Sequence, residues 1–290
     1  MRCPTHWQHA IGRIIESPGT VMVAGEGDVG KTAFCLFLAN AGAQAGLKVA
    51  VVDADVGQSH IGPPAAIGMG IMEKPFPELS AVPAEALYFI GSHSPAGHFS
   101  RMGVGVAKMV ARARGKKLSL IVVDSCGLVK GKFAWRLARG MMEMVGPDRM
   151  VLLTRTVNLE SLTQLCHEQE DLTCHQLKSA PGIRRKSTAR RRKLREQAWA
   201  NYLRGAAQLN LTMDSLALEG IAPGEERANW SGQIVGLHDG QGECLGLGLV
   251  SSLDWPASRL ELLTPVEERQ KVKRVIFGMQ RMKIHAHSPR

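Results

Sequence analysis

Eight residues, Gly25-Glu26-Gly27-Asp28-Val29-Gly30-Lys31-Thr32, fit the pattern GxxxxGK[ST] and dictate more about the fold than any composition figure. The pattern works only as a turn between a strand and a helix, where successive backbone N–H groups converge on phosphate. Both flanks comply. Residues 20–24 form a short apolar run of strand type, and residues 33–45 are rich in Ala, Leu and Phe before stopping at Gly46. That order argues against a fortuitous glycine loop. Nucleoside triphosphate binding is therefore expected at Gly25, Glu26, Gly27, Asp28, Val29, Gly30, Lys31 and Thr32, with Lys31 reaching the β/γ oxygens and the Thr32 hydroxyl reaching Mg²⁺.

Apolar runs at 20–24, 48–53, 86–90, 118–124 and 150–154 read as strands, with helices at 32–45, 103–114 and 134–145 between them. Most of the runs are continuous rather than alternating, which implies strands covered on both faces. The expected class is α/β, a parallel sheet of P-loop NTPase type sandwiched by helices, with ligands at the carboxyl ends of the strands. Beyond a basic stretch at 180–204, helical from about Thr188, come short segments at 208–217, 233–238, 244–251 and 259–263, punctuated by Gly, Asp and Pro. The chain thus divides into a lead-in at 1–18 with room for one helix, a main domain at 19–205, and a small β-domain at 206–290.

The net charge of +10 in 290 residues is concentrated. From Lys178 to Arg195 there are Arg184, Arg185, Lys186, Arg190, Arg191, Arg192 and Lys193 and no acidic residue, which beside a triphosphate site points to phosphate-facing arginines or a nucleic-acid groove. The six cysteines are scattered without CxxC or zinc-finger spacing, so free thiols are expected, Cys166-His167 and Cys174-His175 included. No apolar run approaches a membrane span and the N-terminal residues lack a signal-peptide core, so a cytoplasmic protein is expected.

Chemistry gathers at the strand ends. Asp53 and Asp55, in Asp53-Ala54-Asp55-Val56-Gly57-Gln58, can divide the work of holding Mg²⁺ and accepting a proton from an attacking hydroxyl. Asp124, at the end of an apolar run, reads as a second Mg²⁺ neighbour. The same Asp124-Ser125-Cys126-Gly127 also reads as DxxG, the γ-phosphate sensor of GTPases; such a protein needs Asn/Thr-Lys-x-Asp after the next strand, where this chain has Thr154-Arg155-Thr156-Val157. The loop from Gly91 to His98, with Ser94 and His98, offers hydroxyls and imidazoles to a substrate or is simply a Ser-Pro and Gly turn.

Taken in order, GEGDVGKT, VDADVGQSHIGPP, FIGSHSPAGH, VVDSCGLVKG and RRRKLREQAWANYL resemble the P-loop polynucleotide 5′-hydroxyl kinase family over roughly residues 21–204. The family includes the RNA kinase of mRNA cleavage and tRNA-splicing complexes and the kinase of ribosomal RNA processing. The resemblance implies ATP and Mg²⁺ as cofactors and a nucleic acid with a 5′-hydroxyl end, RNA or DNA, as partner. It places the base at Asp55, metal neighbours at Thr32, Asp53 and Asp124, an arginine lid at Arg191 and Arg195, and substrate contacts at Gln58, Ser94 and His98, the last two in a loop called the clasp. There are departures: Leu128 stands where eukaryotic relatives have Trp, and His98 where Asn is expected. The other readings are a non-catalytic ATP-binding scaffold in nucleic-acid processing and a metallochaperone-type GTPase.

Overall fold

The computed structural model describes residues 2–127, 131–155, 160–222, 225 and 228–282, with side chains omitted at 131–135 and 160–162. Leu128, Thr156 and Val157 lie outside the described residues.

The sheet is built from the P-loop unit outward. Strand β1 (Thr20–Gly25) feeds helix α2 (Lys31–Gln44), and the chain returns through β2 (Val49–Asp53). With β5 (Leu120–Asp124), β6 (Arg149–Thr154) and β7 (Thr173–Lys178), these strands pair in the order β7-β6-β1-β5-β2, all parallel. Their side chains alternate between two cores, as strand geometry demands. Val21, Val23, Val49, Val51, Leu120 and Val122 face Phe34 and Leu38 of α2 and Trp7 and Ile14 of α1 (Thr5–Glu16). Met22, Ala50, Val52, Ile121 and Val123 face Met102, Val106 and Met109 of α3 (Phe99–Gly115) and Met141 of α4 (Gly131–Val145). Both faces are covered, which explains the continuous apolar runs.

The expectation of a uniformly parallel sheet needs one correction. Strand β3 (Ala66–Met72) is antiparallel to β2, and β4 (Ala84–Phe89) antiparallel to β3. Two reversals restore the direction, so the loop after β4 still opens at the edge where Asp53 and Asp124 end. Strand β3 escapes a sequence reading because it carries Gly68 and Gly70, poor strand formers. The packing requires them: a Cβ at Gly68 would lie 1.9 Å from the Ile61 carbonyl oxygen, and one at Gly70 2.6 Å from Val82.

After α5 (Glu160–His167) and β7, helix α6 (Thr188–Tyr202) starts at Ser187, whose hydroxyl accepts from the Arg190 N–H at 3.2 Å. The C-terminal strands β8 (Ala207–Thr212), β9 (Ala217–Glu219), β10 (Gln233–His238), β11 (Cys244–Asp254), β12 (Arg259–Thr264) and β13 (Arg274–Arg281) follow. They join the main sheet where Cys244 of β11 pairs with Leu87 of β4. A shared core of Ala65, Phe89, Trp199, Ile234 and Leu247 seals the junction. The six cysteines are free thiols. Among the described residues no helix is long and apolar enough to cross a membrane.

Candidate active site at the strand ends

The phosphate loop is held by close backbone packing. A Cβ at Gly25 would meet the Leu153 carbonyl oxygen at 2.1 Å, and Gly30, left-handed at φ +99°, has Ile183 and Trp7 where a Cβ would stand. Helix α2 begins at Lys31, so its first N–H groups point into the loop. Lys31 is 7% exposed, and its Nζ donates to the carbonyls of Gly25 at 3.2 Å and Glu26 at 2.8 Å. The ammonium thus already sits inside the ring of backbone it is expected to share with phosphate. Gly127 presses on the same loop, since a Cβ there would lie 2.8 Å from the Cα of Gly27.

The three aspartates differ sharply in what they have left to offer. Asp53 is fully buried: Oδ1 accepts from the Asp55 N–H, and Oδ2 from the N–H groups of His60 (2.5 Å) and Ile61 (3.0 Å) and from the Ser59 hydroxyl. Both oxygens serve to fold residues 53–61, so coordinating a metal directly would cost those bonds. Asp55 uses Oδ1 in a local turn, accepting from Gly57 N–H at 3.1 Å and Gln58 N–H at 3.0 Å, and its second oxygen has no partner among the described residues. Asp124 is 1% exposed, with Thr32 and Cys35 beside it, and among the described residues neither oxygen has a well-formed hydrogen bond.

A buried carboxylate with no donor is unstable as an anion. Burial, reinforced by Asp53 and Asp55 and opposed by Lys31 and Thr32, pushes the Asp124 carboxyl up to about 7. Its folded-state pKa is thus above the unfolded value of about 3.9, so the folded state holds the extra proton and stability falls as pH rises from about 4 to 7. Asp124→Asn is expected to raise the melting temperature of the ligand-free protein at pH 8, by about 2–4 °C for each kcal/mol recovered, and to change it little at pH 5. Equal shifts at both pH values in thermal melts would sink this account.

Helix α6, the expected lid, lies against the loop. Arg191 and Arg195, one turn apart, are the half-buried arginines of its face, while Arg190 and Arg192 are exposed. Arg191 Nη2 sits 2.5 Å from Asp28 Oδ2, an oxygen that also accepts from the Lys186 N–H at 3.0 Å. Burial opposes ionisation of Asp28, but the Lys186 and Arg191 hydrogen bonds outweigh it and hold the carboxyl below the usual range. Arg185 lies 3.6 Å from Glu26, and Arg155 donates to the Asp28 carbonyl. The variable positions of the phosphate loop are thus its contact with the lid. Sequence reasoning placed Glu26 and Asp28 in the loop but had no signal for this pairing, which spans more than 150 residues of chain.

Gln58 ties the acidic motif to the lid, donating from Nε2 to the Arg191 carbonyl at 3.1 Å, while its buried Oε1 has no partner among the described residues. A cavity of about 480 Å³ continues from here along α6, lined by Gln58, His60, Lys186, Arg195 and Asn201 among others. The loop after β4 completes the site. Ser94 Oγ accepts from the Ala96 N–H at 3.2 Å, and His98 precedes α3, its N–H bonded to the Pro95 carbonyl. A Cβ on Gly57 would lie 2.7 Å from the His93 carbonyl oxygen, so this loop abuts the Asp55 turn. Ser94 and His98 share the strand-end edge with the phosphate loop, and among the described residues no hydrogen bond or ion pair joins either of them to Gln58 or the lid arginines.

A parallel strand-loop-helix unit with a lysine in the loop, a buried acid at the neighbouring strand end and an arginine lid defines a P-loop NTPase domain. The chain belongs to the family described as mRNA cleavage and polyadenylation factor CLP1 P-loop, which matches residues 25–205. It is 28% identical to a polyribonucleotide 5′-hydroxyl-kinase of Pyrococcus abyssi over 93% of this chain and 89% of that protein. A protein of the same name from Methanocaldococcus jannaschii is 27% identical over 92% and 88%. In fold the chain is similar to Clp1p in a solved Clp1p–Pcf11p complex, with a TM-score of 0.73 at 13% identity, covering 94% of this chain and 77% of that one.

Proposed function

We propose that this chain is an ATP-dependent polynucleotide 5′-hydroxyl kinase, moving the γ-phosphate of ATP onto the 5′-hydroxyl end of RNA, DNA or both. One observation carries the reading: the acidic motif and the arginine lid meet at the Gln58–Arg191 hydrogen bond, directly over the phosphate loop. That meeting supports reading Asp55 as the base and the lid arginines as the charge clamp of one transfer site. The archaeal relatives, named as polyribonucleotide 5′-hydroxyl-kinases, support the same activity here.

The chain's own groups would act as follows. The loop N–H groups and Lys31 hold the triphosphate, and Arg191 and Arg195 offset the charge on the transferring phosphoryl group. The unpartnered oxygen of Asp55 takes the proton of the acceptor hydroxyl, which attacks in line as the bond to ADP breaks. Thr32 and Asp124 are fitted to hold Mg²⁺, since Asp124 offers two buried oxygens with no donor, and the ion would neutralise charge between the β- and γ-phosphates. Ser94, His98 and Gln58 meet the acceptor end, and the cavity along α6 receives the strand behind it. Residues 19–205 form the kinase domain, with 1–18 as its lead-in and 206–290 as a β-domain supporting it, and the protein works in the cytoplasm.

The deciding assay offers 5′-hydroxyl RNA and DNA oligonucleotides with γ-labelled ATP. Label appearing at the 5′ end is expected, and bound ATP that stays intact in a single turnover would favour a non-catalytic scaffold. Acceptor affinity should fall with salt, with a log–log slope of about −0.7 for each single-strand phosphate contacted. Replacing Arg184, Arg185 and Arg190 together should flatten that slope, and an unchanged slope would remove the outer lid face from the binding surface.

A further inference from the structure

The kinase reading leaves open what sets the lid and the acceptor loop relative to each other. Resting on that reading, we propose that Trp199 and His93 form a positioning pair that locks the lid helix to the clasp loop, so that closing over the donor also seats the acceptor end.

Trp199 follows Arg191 and Arg195 at intervals of eight and four, on the same face of α6. It is 1% exposed, and its indole Nε1 donates to His93 Nε2 at 3.2 Å, joining residues 106 apart in sequence. An indole nitrogen can only donate, so His93 Nε2 must carry a lone pair and the ring proton must sit on Nδ1. A neutral ring is what its surroundings favour, because burial, with Arg195 close by, lowers the imidazole to about 4.

Both partners are rooted in the same support. The foot of the lid is fixed by Tyr202, whose hydroxyl accepts from the Leu247 N–H at 2.7 Å, and by the packing of Trp199 with Phe89, Ile234 and Leu247. The root of the clasp is fixed by β13. The Met279 N–H donates to the Gly91 carbonyl at 2.8 Å, and a Cβ on Gly91, which is left-handed at φ +82°, would come within 2.8 Å of the Gly278 Cα. The C-terminal strands therefore hold two separate elements at one distance, and the Trp199–His93 bond closes the figure. His93 then transmits the lid's position onward, since its carbonyl presses on Gly57 in the turn that shapes Asp55.

Trp199→Phe tests this on the whole chain, keeping an aromatic ring in the core while deleting the donor together with part of the buried ring volume. A single hydrogen bond of about 1 kcal/mol corresponds to an expected rise of about fivefold in acceptor KM, with ATP KM nearly unchanged and the melting temperature lowered by the lost ring volume. His93→Gln retains an acceptor and should stay within about twofold of wild type, whereas His93→Leu should match Trp199→Phe. The double variant Trp199→Phe/His93→Leu should be no worse than either single. Wild-type acceptor KM in Trp199→Phe and His93→Leu, or equal damage to ATP and acceptor KM, or additive losses in the double, would overturn the pair while leaving the kinase intact. Should Trp199→Phe fold poorly, the His93→Gln and His93→Leu comparison decides alone, and equal behaviour of those two overturns the proposal. A wild-type chain that transfers no phosphate overturns both proposals.

Discussion

Lys31→Ala is expected to reduce phosphoryl transfer by about a thousandfold or more while the protein remains folded. Phosphoryl transfer asks little covalent chemistry of a protein, so positioned positive charge is most of the catalyst. Among the loop residues Lys31 alone brings a full positive charge, its Nζ lying between the carbonyls of Gly25 and Glu26. Alanine removes the ammonium and leaves two carbonyls without a donor, a cost of about 1–3 kcal/mol that the surrounding packing can absorb. Lys31→Arg should fail as well, because a planar fork cannot occupy the space of a compact ammonium 7% exposed. Label transfer to a 5′-hydroxyl oligonucleotide, beside a thermal melt to establish folding, measures the effect. Full activity in Lys31→Ala would falsify the assignment of this loop as the donor site.

How much of this was legible in the sequence depends on the range over which each feature is specified. The phosphate loop is local, so eight residues with a strand and helix around them announced it. The order of the other motifs was equally visible, because P-loop chemistry sits at strand ends and the apolar runs end at Asp53 and Asp124. The arginine lid at Arg191 and Arg195 came only from the resemblance of the Arg-rich helix to the kinase family. What could not be read are contacts between distant segments with no local signature. The Asp28–Arg191 pair and the Trp199–His93 bond involve residue types that are common in solvated loops and helix cores, and nothing near them in sequence marks them as partners. Strand β3 was hidden for a related reason: its glycines lower strand propensity and are explained only by the Ile61 backbone passing over them. The division of labour among the aspartates came only from the resemblance, which put the base at Asp55 and the metal neighbours at Asp53 and Asp124. Spacing put Asp53, Asp55 and Asp124 at one edge, but only the donors around each show which oxygens are already committed.

That difference leads to contrasting outcomes at Asp55 and Asp53. In Asp55→Asn the side-chain carbonyl oxygen can still accept from Gly57 and Gln58, so the turn and the fold should survive. The charge that would take the acceptor proton is gone, and transfer should fall by about 10²–10⁴-fold with ATP binding and melting temperature close to wild type. In Asp53→Asn one of two accepting oxygens becomes an NH₂ group. Either orientation then sets donor against donor, at the Asp55 N–H or at the His60 and Ile61 N–H groups, in a site with no exposure to water. A buried donor stripped of its acceptor costs about 1–3 kcal/mol, so Asp53→Asn should lower the melting temperature clearly. Any loss of transfer in that variant follows from disorder in residues 53–61 and should be partly recovered at lower assay temperature, which the Asp55→Asn defect should not be. If Asp53→Asn melts like wild type yet fails in transfer at every temperature, Asp53 meets the metal or substrate directly, and the division of roles drawn from its hydrogen bonds is reversed.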